Sequence, residues 1–312
     1  MASLIVPRAA RAQAAWPNRT IRLVVPFSAG GTSDILARLV AVPLTTALGV
    51  SVVVENRTGA GGNVAAEAVT RSNDGHTFLV GTPGTQVINA LISSDVAVDP
   101  ERDLSPVVML AAVPNVVVVP PSLGVSTLQE LLDLGRRRQG GLMYVTPGAG
   151  GTVHLASELL RTMTGVPMTH VPYRGSAPAL ADLIAGRADF SADNLPSALP
   201  HIQSGRLRAL ATTGAQRAPA LPDVPTVREA GLAEYEASAW FCLAAPAAFP
   251  RQQAVKVAAA VDAFLRTPEA RARLLDLGAQ PLGGGPEQMA SLTASERSKW
   301  QAVVTAASIK AE

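Results

Sequence analysis

A chain of 312 residues is longer than one hydrophobic core usually sustains, so its length favours two domains. Hydrophobic residues make up 48% and aromatics only 4%, a core of Ala, Val, Leu and Ile suited to buried parallel strands and covering helices. The thin formal charge of +2 argues against nucleic-acid binding, the single Cys242 excludes an internal disulfide or a cysteine-built cluster, and no run approaches the eighteen or so apolar residues of a membrane helix.

Residues 1–15 have their own texture. Ala9 to Ala15 reads A-A-R-A-Q-A-A, with small residues at A-x-A spacing just before Trp16-Pro17-Asn18, as at the end of a secretory signal peptide. Leu4 to Val6 is too short for the apolar region of such a peptide, and the basic start is missing. The expectation is a truncated signal-peptide remnant or a disordered leader.

From Ile21 the chain alternates strand, loop and helix. Ile21 to Pro26 is an apolar strand, Phe27 to Thr32 a glycine loop, and the helix that follows carries apolar residues at Ile35, Leu36, Leu39 and Val40. Thr32 or Ser33 can cap that helix, Asp34 suits its positive first turn, and Pro43 should kink or divide it. The unit recurs as strand 51–55, loop 58–62 and helix 63–71, then as strand 77–80 with the loop Gly81-Thr82-Pro83-Gly84-Thr85. After the apolar run 107–120 it restarts: helix 128–138, strand 142–145, loop 146–152, helix 153–164, strand 168–171, loop 172–176, helix 177–185 and strand 188–191. Arg136 to Arg138 close a leucine-patterned helix and read as compensation of its dipole. A second apolar run, 239–245, holds Cys242 as a buried thiol and precedes helices at 252–265 and 268–277.

This alternation predicts an α/β fold with doubly wound, mainly parallel sheets. The restart and the second apolar run predict a discontinuous domain 1, residues 16–121 plus 238–312, and an inserted domain 2, residues 122–237. Two crossings between domains make a hinge. In open α/β sheets ligands bind beyond the carboxyl ends of the strands, which here carry the glycine loops. Such loops expose backbone N–H groups at helix N-termini, a setting that attracts a carboxylate or phosphate without a lysine.

Enzyme signatures are scarce. Gly148-Ala149-Gly150-Gly151-Thr152-Val153 starts like a dinucleotide fingerprint but has Val153 at its third glycine position, and the next strand ends without an acidic ribose ligand. The P-loop and the G-x-S-x-G elbow are absent. Ser191, His154 and Asp193 have no spacing that specifies a hydrolase triad, and the histidines at 76, 154, 170 and 201 lack zinc-site spacing. No metal, cofactor or catalytic residue is expected. His154 reads as a helix-start donor or a partner for a neighbouring carbonyl, and Asp193 either as an Asx turn before the Pro196 helix or as an acceptor for a ligand amine or hydroxyl.

The motifs in order carry a resemblance. Trp16-Pro17, Ile21 to Phe27, Ala29-Gly30-Gly31 and Asp34, then Val54-Glu55-Asn56-Arg57, Gly59 to Gly62, Asp74-Gly75-His76-Thr77, Gly148, Gly151-Thr152 and His154 match along the chain. So do Val171-Pro172-Tyr173-Arg174-Gly175, Asp193 to Ser197 and Leu221 to Thr226. The chain resembles the Bug-type substrate-binding proteins of tripartite tricarboxylate transporters. The resemblance implies a type II periplasmic-binding-protein fold with Venus-flytrap closure, a periplasmic location and integral membrane permease subunits as partner. It implies a carboxylate ligand held by Phe27, Ala29, Gly30, Asp34, Thr82 and Thr85 from domain 1 and by Gly148, Gly151, Thr152 and His154 from domain 2, with Tyr173, Arg174 and Asp193 contributing. Ala192 stands where an aromatic is common in such proteins, and the Thr82-Pro83-Gly84 loop is stiffer than usual. The functional expectation is a monomeric receptor for a small carboxylate or amino-acid-like metabolite; an extracytoplasmic sensor and a soluble α/β enzyme are the alternatives.

Overall fold

The computed structural model of the chain describes residues 16–93 and 96–307. The expected leader, residues 1–15, lies outside them. Trp16, the first described residue, donates its indole N–H to the Gly75 carbonyl (2.8 Å) and meets Phe249 edge-on.

The first βα units are β1 (Ile21–Val25) with α1 (Thr32–Leu48), β2 (Val52–Asn56) with α2 (Asn63–Thr70), and β3 (Thr77–Gly81) with a π-helical turn, Gly84–Ile88, that continues as α3 (Asn89–Ile92). A short α4 (Pro100–Asp103) opens the long β4 (Leu104–Val119). The middle of the chain runs α5 (Leu128–Arg137), β5 (Leu142–Thr146), α6 (Thr152–Thr164), β6 (Met168–Pro172), α7 (Ser176–Ile184), β7 (Ser191–Asn194), α8 (Leu195–Gln203) and β8 (Arg208–Thr212). The chain returns through β9 (Ser238–Pro246) and ends in α9 (Arg251–Leu265), α10 (Pro268–Asp276), β10 (Gln280–Gly283) and α11 (Pro286–Ala307).

β4 joins the two halves of the molecule by changing neighbours along its length. Its first part, Leu104 to Pro114, pairs antiparallel with β9 and β10, within the order β10-β4-β9-β3-β1-β2. From Asn115 to Val119 it lies antiparallel to β7 and β8 instead. β1 is parallel to β2 and β3, and β5 is parallel to β6. The apolar run 107–120 is therefore a strand shared by two lobes. Helices cover both faces of each half, with Leu36, Val40, Leu44 and Leu48 of α1 in one core cluster of the first lobe and Leu131, Leu160 and Phe190 in one of the second.

Two expectations change. α1 runs through Pro43 without dividing, because the buried stripe Leu36, Val40, Leu44 and Leu48 continues on both sides of it and holds the helix against the sheet. β7 starts at Ser191 rather than Ala188. Asp189 there turns back instead, its carboxylate accepting from Met143 N (2.7 Å) and pairing with Arg138 (2.6 Å).

Candidate ligand-binding site

The carboxyl ends of strands from both lobes face one another across a cavity of about 30 Å³. Its lining comes mostly from helix starts: Gly31, Thr32 and Ser33 at α1, Gly151, Thr152 and Val153 at α6, Ser176 at α7 and Asn194 at α8. Phe27, Thr82, Pro147 and the hinge-strand Phe241 complete it. Gly31, Gly151, Gly175 and Asn194 are the N-caps of these helices, and none of them caps its helix through a side chain. The first turns of α1 and α6 thus carry N–H groups without a side-chain cap beside the cavity, α7 and α8 offer fewer because Pro178 and Pro196 lie in their first turns, and each helix adds about half a positive charge at its start. No lysine or arginine lines the cavity. The arrangement suits an anion bound by backbone groups.

The cavity brings together four of the residues expected at the site, Phe27, Thr82, Gly151 and Thr152. Gly148 lies beside the Phe27 ring, while Ala29 and Gly30 are exposed at the rim. Thr85 is turned inward: its hydroxyl accepts from Thr82 N (3.0 Å) and fastens the stiff turn that presents Thr82. Asp34 also serves the loop. It accepts from Gly30 N (3.0 Å), Asn56 Nδ2 (3.0 Å) and Arg38 Nε (3.0 Å). Burial alone would raise its carboxyl, but these partners hold it below the usual carboxylate range. Tyr173 donates its hydroxyl to Asp182 (2.6 Å), and Arg174 is exposed, reaching the other lobe through its carbonyl.

At its Nδ1, His154 accepts from Gly150 N (3.2 Å). Its ring stacks on His170 at 4.1 Å, and His170 Nε2 meets Thr146 Oγ1 (2.7 Å), whose hydroxyl also bonds Gly148. The two histidines thereby hold both ends of the glycine loop 146–152, with burial lowering His170 to about 4.

Asp193 is fully buried one layer behind the cavity wall. Its Oδ1 accepts from Ser176 Oγ (2.9 Å), Ser197 Oγ (2.7 Å) and Asn194 N (2.6 Å). Its Oδ2 has no hydrogen-bond partner among the described residues, and burial pushes the carboxyl up to about 6. The Asx-turn reading gives way here, because Asp193 is a strand residue paired with Val116.

Sequence reasoning missed Gly31, Thr32, Ser33, Pro147, Val153, Ser176, Asn194 and Phe241. Ser176 follows Gly175 as Thr32 follows Gly31 and Thr152 follows Gly151, so the glycine-then-hydroxyl signal was present. Phe241 had no such signal, because it arrives from a strand distant in sequence.

The lobes touch directly. Ser28 N donates to Arg174 O (3.2 Å), and Thr32 Oγ1 donates to Ser197 Oγ (3.2 Å). Among the described residues, no helix is long and apolar enough to cross a membrane, and no group of His, Cys, Asp and Glu could hold a metal ion.

The comparisons with known proteins agree with this architecture. The family described as "Tripartite tricarboxylate transporter family receptor" matches residues 36–309. Protein BugT of Bordetella pertussis is 34% identical over 291 residues, 93% of this chain and 89% of its own length. A UPF0065 protein from the tcbD-tcbE intergenic region of Pseudomonas sp. (strain P51) is 38% identical over 292 residues, 93% of this chain and 87% of its own. Among solved structures, R. palustris Rpa4515 with adipate is 42% identical with a TM-score of 0.92, covering 95% of this chain and 99% of that one. MatC from Rhodopseudomonas palustris with bound malate is 34% identical with a TM-score of 0.86, covering 93% and 100%. The two-lobed α/β architecture is that of periplasmic binding proteins, and the chain belongs to the tripartite tricarboxylate transporter receptor family.

Proposed function

We propose that this protein is a periplasmic receptor that closes its two lobes on a small carboxylate and delivers it, unchanged, to integral membrane permease subunits. The observation that carries the reading is the meeting of four helix N-termini, none capped by a side chain, on one cavity without a basic residue. Backbone N–H groups and helix dipoles can hold an anion at that point without a counter-ion side chain. Relatives seen with adipate and with malate support the same class of ligand. In this reading the lobes are residues 16–121 plus 238–312 and residues 122–237. The exchange of partners along β4 and the return through β9 support that division.

The cavity of about 30 Å³ has room for little more than a water molecule or two, so a four-carbon acid enters only after the lobes part. Closure then follows because a ligand touching both lobes stabilises the closed form alone. The test is thermal unfolding of ligand-stripped protein against mono-, di- and tricarboxylates, with the ligand recovered and analysed afterwards. At about a hundred times its dissociation constant a ligand stabilises by about 2.7 kcal/mol, a shift of several degrees. A selective shift with the acid recovered intact is expected; no shift with any carboxylate, or conversion of the acid, would overturn the proposal.

A further inference from the structure

The hydroxyl protons on one side of the cavity all point away from it. Thr32 Oγ1 donates to Ser197 Oγ (3.2 Å), Ser197 Oγ shares its proton between Asp193 Oδ1 (2.7 Å) and Asn194 O (2.8 Å), and Ser176 Oγ donates to Asp193 Oδ1 (2.9 Å). A hydroxyl has one proton and two lone pairs, so Thr32 and Ser176, both in the cavity lining, can only accept from an occupant. Two further acceptors, Asp193 Oδ2 and Asn194 Oδ1, are buried without a partner among the described residues. Leaving a buried acceptor unmatched is costly, most of all on a carboxylate. The remaining lining is donor-rich, because the first turns of α1 and α6 present N–H groups. The cavity therefore carries both kinds of group, N–H donors at the first turns of α1 and α6 and acceptor lone pairs on Thr32, Ser176 and Asn194.

We propose that the cleft selects carboxylates bearing a hydroxyl or ammonium beside the carboxylate, and that Asp193 sets this preference by drawing the Ser176 proton toward itself and, with the Asn194 carbonyl, orienting Ser197 to accept from Thr32. The proposal rests on the carboxylate-receptor reading and narrows it. The carboxylate takes the first turns of α1 and α6, and the neighbouring donor reaches the acceptors of the lining, Ser176 and Asn194. An unsubstituted acid leaves them unmatched. Among the relatives, adipate lacks such a donor and malate has one, so family membership alone does not decide the matter.

The test is calorimetric titration of the wild-type protein with matched acids that differ only at the carbon next to the carboxylate: succinate, malate and aspartate, then glutarate, 2-hydroxyglutarate and glutamate. The donor-bearing member of a set is expected to bind roughly ten- to a hundredfold more tightly than the unsubstituted acid. Ser176→Ala deletes one acceptor from the cavity lining and is expected to shrink that ratio severalfold; an unchanged ratio overturns the role given to Ser176. Equal or tighter binding of the unsubstituted acid by the wild-type protein overturns the selectivity proposal while the receptor reading stands. Failure of every carboxylate to bind overturns the receptor reading itself, and the narrower proposal with it.

Discussion

Gly175 has φ of +139°, and a Cβ built there would lie 2.1 Å from Ser28 Oγ and 2.6 Å from Ser28 N in the opposite lobe. Overpacking of this kind costs about 1–3 kcal/mol, and the clash exists only when the lobes meet. Gly175→Ala is therefore expected to weaken ligand binding about tenfold or more, measured by titration calorimetry. Gly205→Ala, also at positive φ but with nothing within 4 Å, should cost some stability and leave affinity unchanged. Gly30 differs from what its place in a binding loop implies. Its added Cβ would meet only Ala177 Cβ at 4.0 Å, so a substitution there strains the backbone, at φ +82°, without crowding the cleft. At this scale residue types were legible and their roles were not. Asp34, Thr85 and His154 stand in motif positions that suggest ligand contact, and the fold adds a second task, since Asp34 accepts from Gly30 N, Thr85 from Thr82 N and His154 from Gly150 N, each bracing a loop beside the cavity.

Elements were more legible than residues, because periodicity and end signals are local. α5 shows why: Thr127 Oγ1 accepts from Glu130 N (3.1 Å), and Glu130 in turn accepts from Ser126 N (2.6 Å). The same Thr-x-x-Glu spacing can be seen in the sequence. Thr127→Ala is expected to lower stability by about 1 kcal/mol without altering ligand affinity, because the cap is exposed and belongs to no cavity-lining element. Chemical denaturation together with calorimetry would check both halves of that expectation. β8, β10 and α11 escaped the sequence reading for a physical reason. β8 and β10 are short strands with mixed burial, held by their pairing with β4, and α11 has no strong apolar face of its own. Pro43 was expected to kink or divide α1, and of the two the division does not occur, since a buried stripe continues past it.

At the scale of the whole molecule the cleft can be locked. A Cβ built on Gly31 would lie 3.8 Å from Ser176 Cβ across the two lobes, within the span of a disulfide, and Gly31 has an ordinary negative φ of −77°. The double variant Gly31→Cys/Ser176→Cys is expected to crosslink under mild oxidation only while the lobes are closed. Crosslinked before ligand is added, it should bind none, and reduction should restore uptake. Cys242 is fully buried, its thiol pushed up by burial, so it should not compete for the bond. Ligand uptake by the fully crosslinked protein would show that closure does not gate the site.

By itself the sequence determined the α/β class, the order of the βα units, the glycine loops before helices and the family, because all of these rest on local spacing and ordered motifs. Tertiary structure decided which helix starts share one cavity. It brought Phe241 in on a returning strand and divided β4 between two sets of partners. It also turned Ser176, Ser197 and Thr32 toward Asp193. The physical reason is range: a strand or a cap is settled by residues a few positions apart, whereas the direction of a hydroxyl proton depends on an acceptor that only the packed fold supplies. Thr32 and Ser197, far apart in sequence, have no relation until two lobes close on each other.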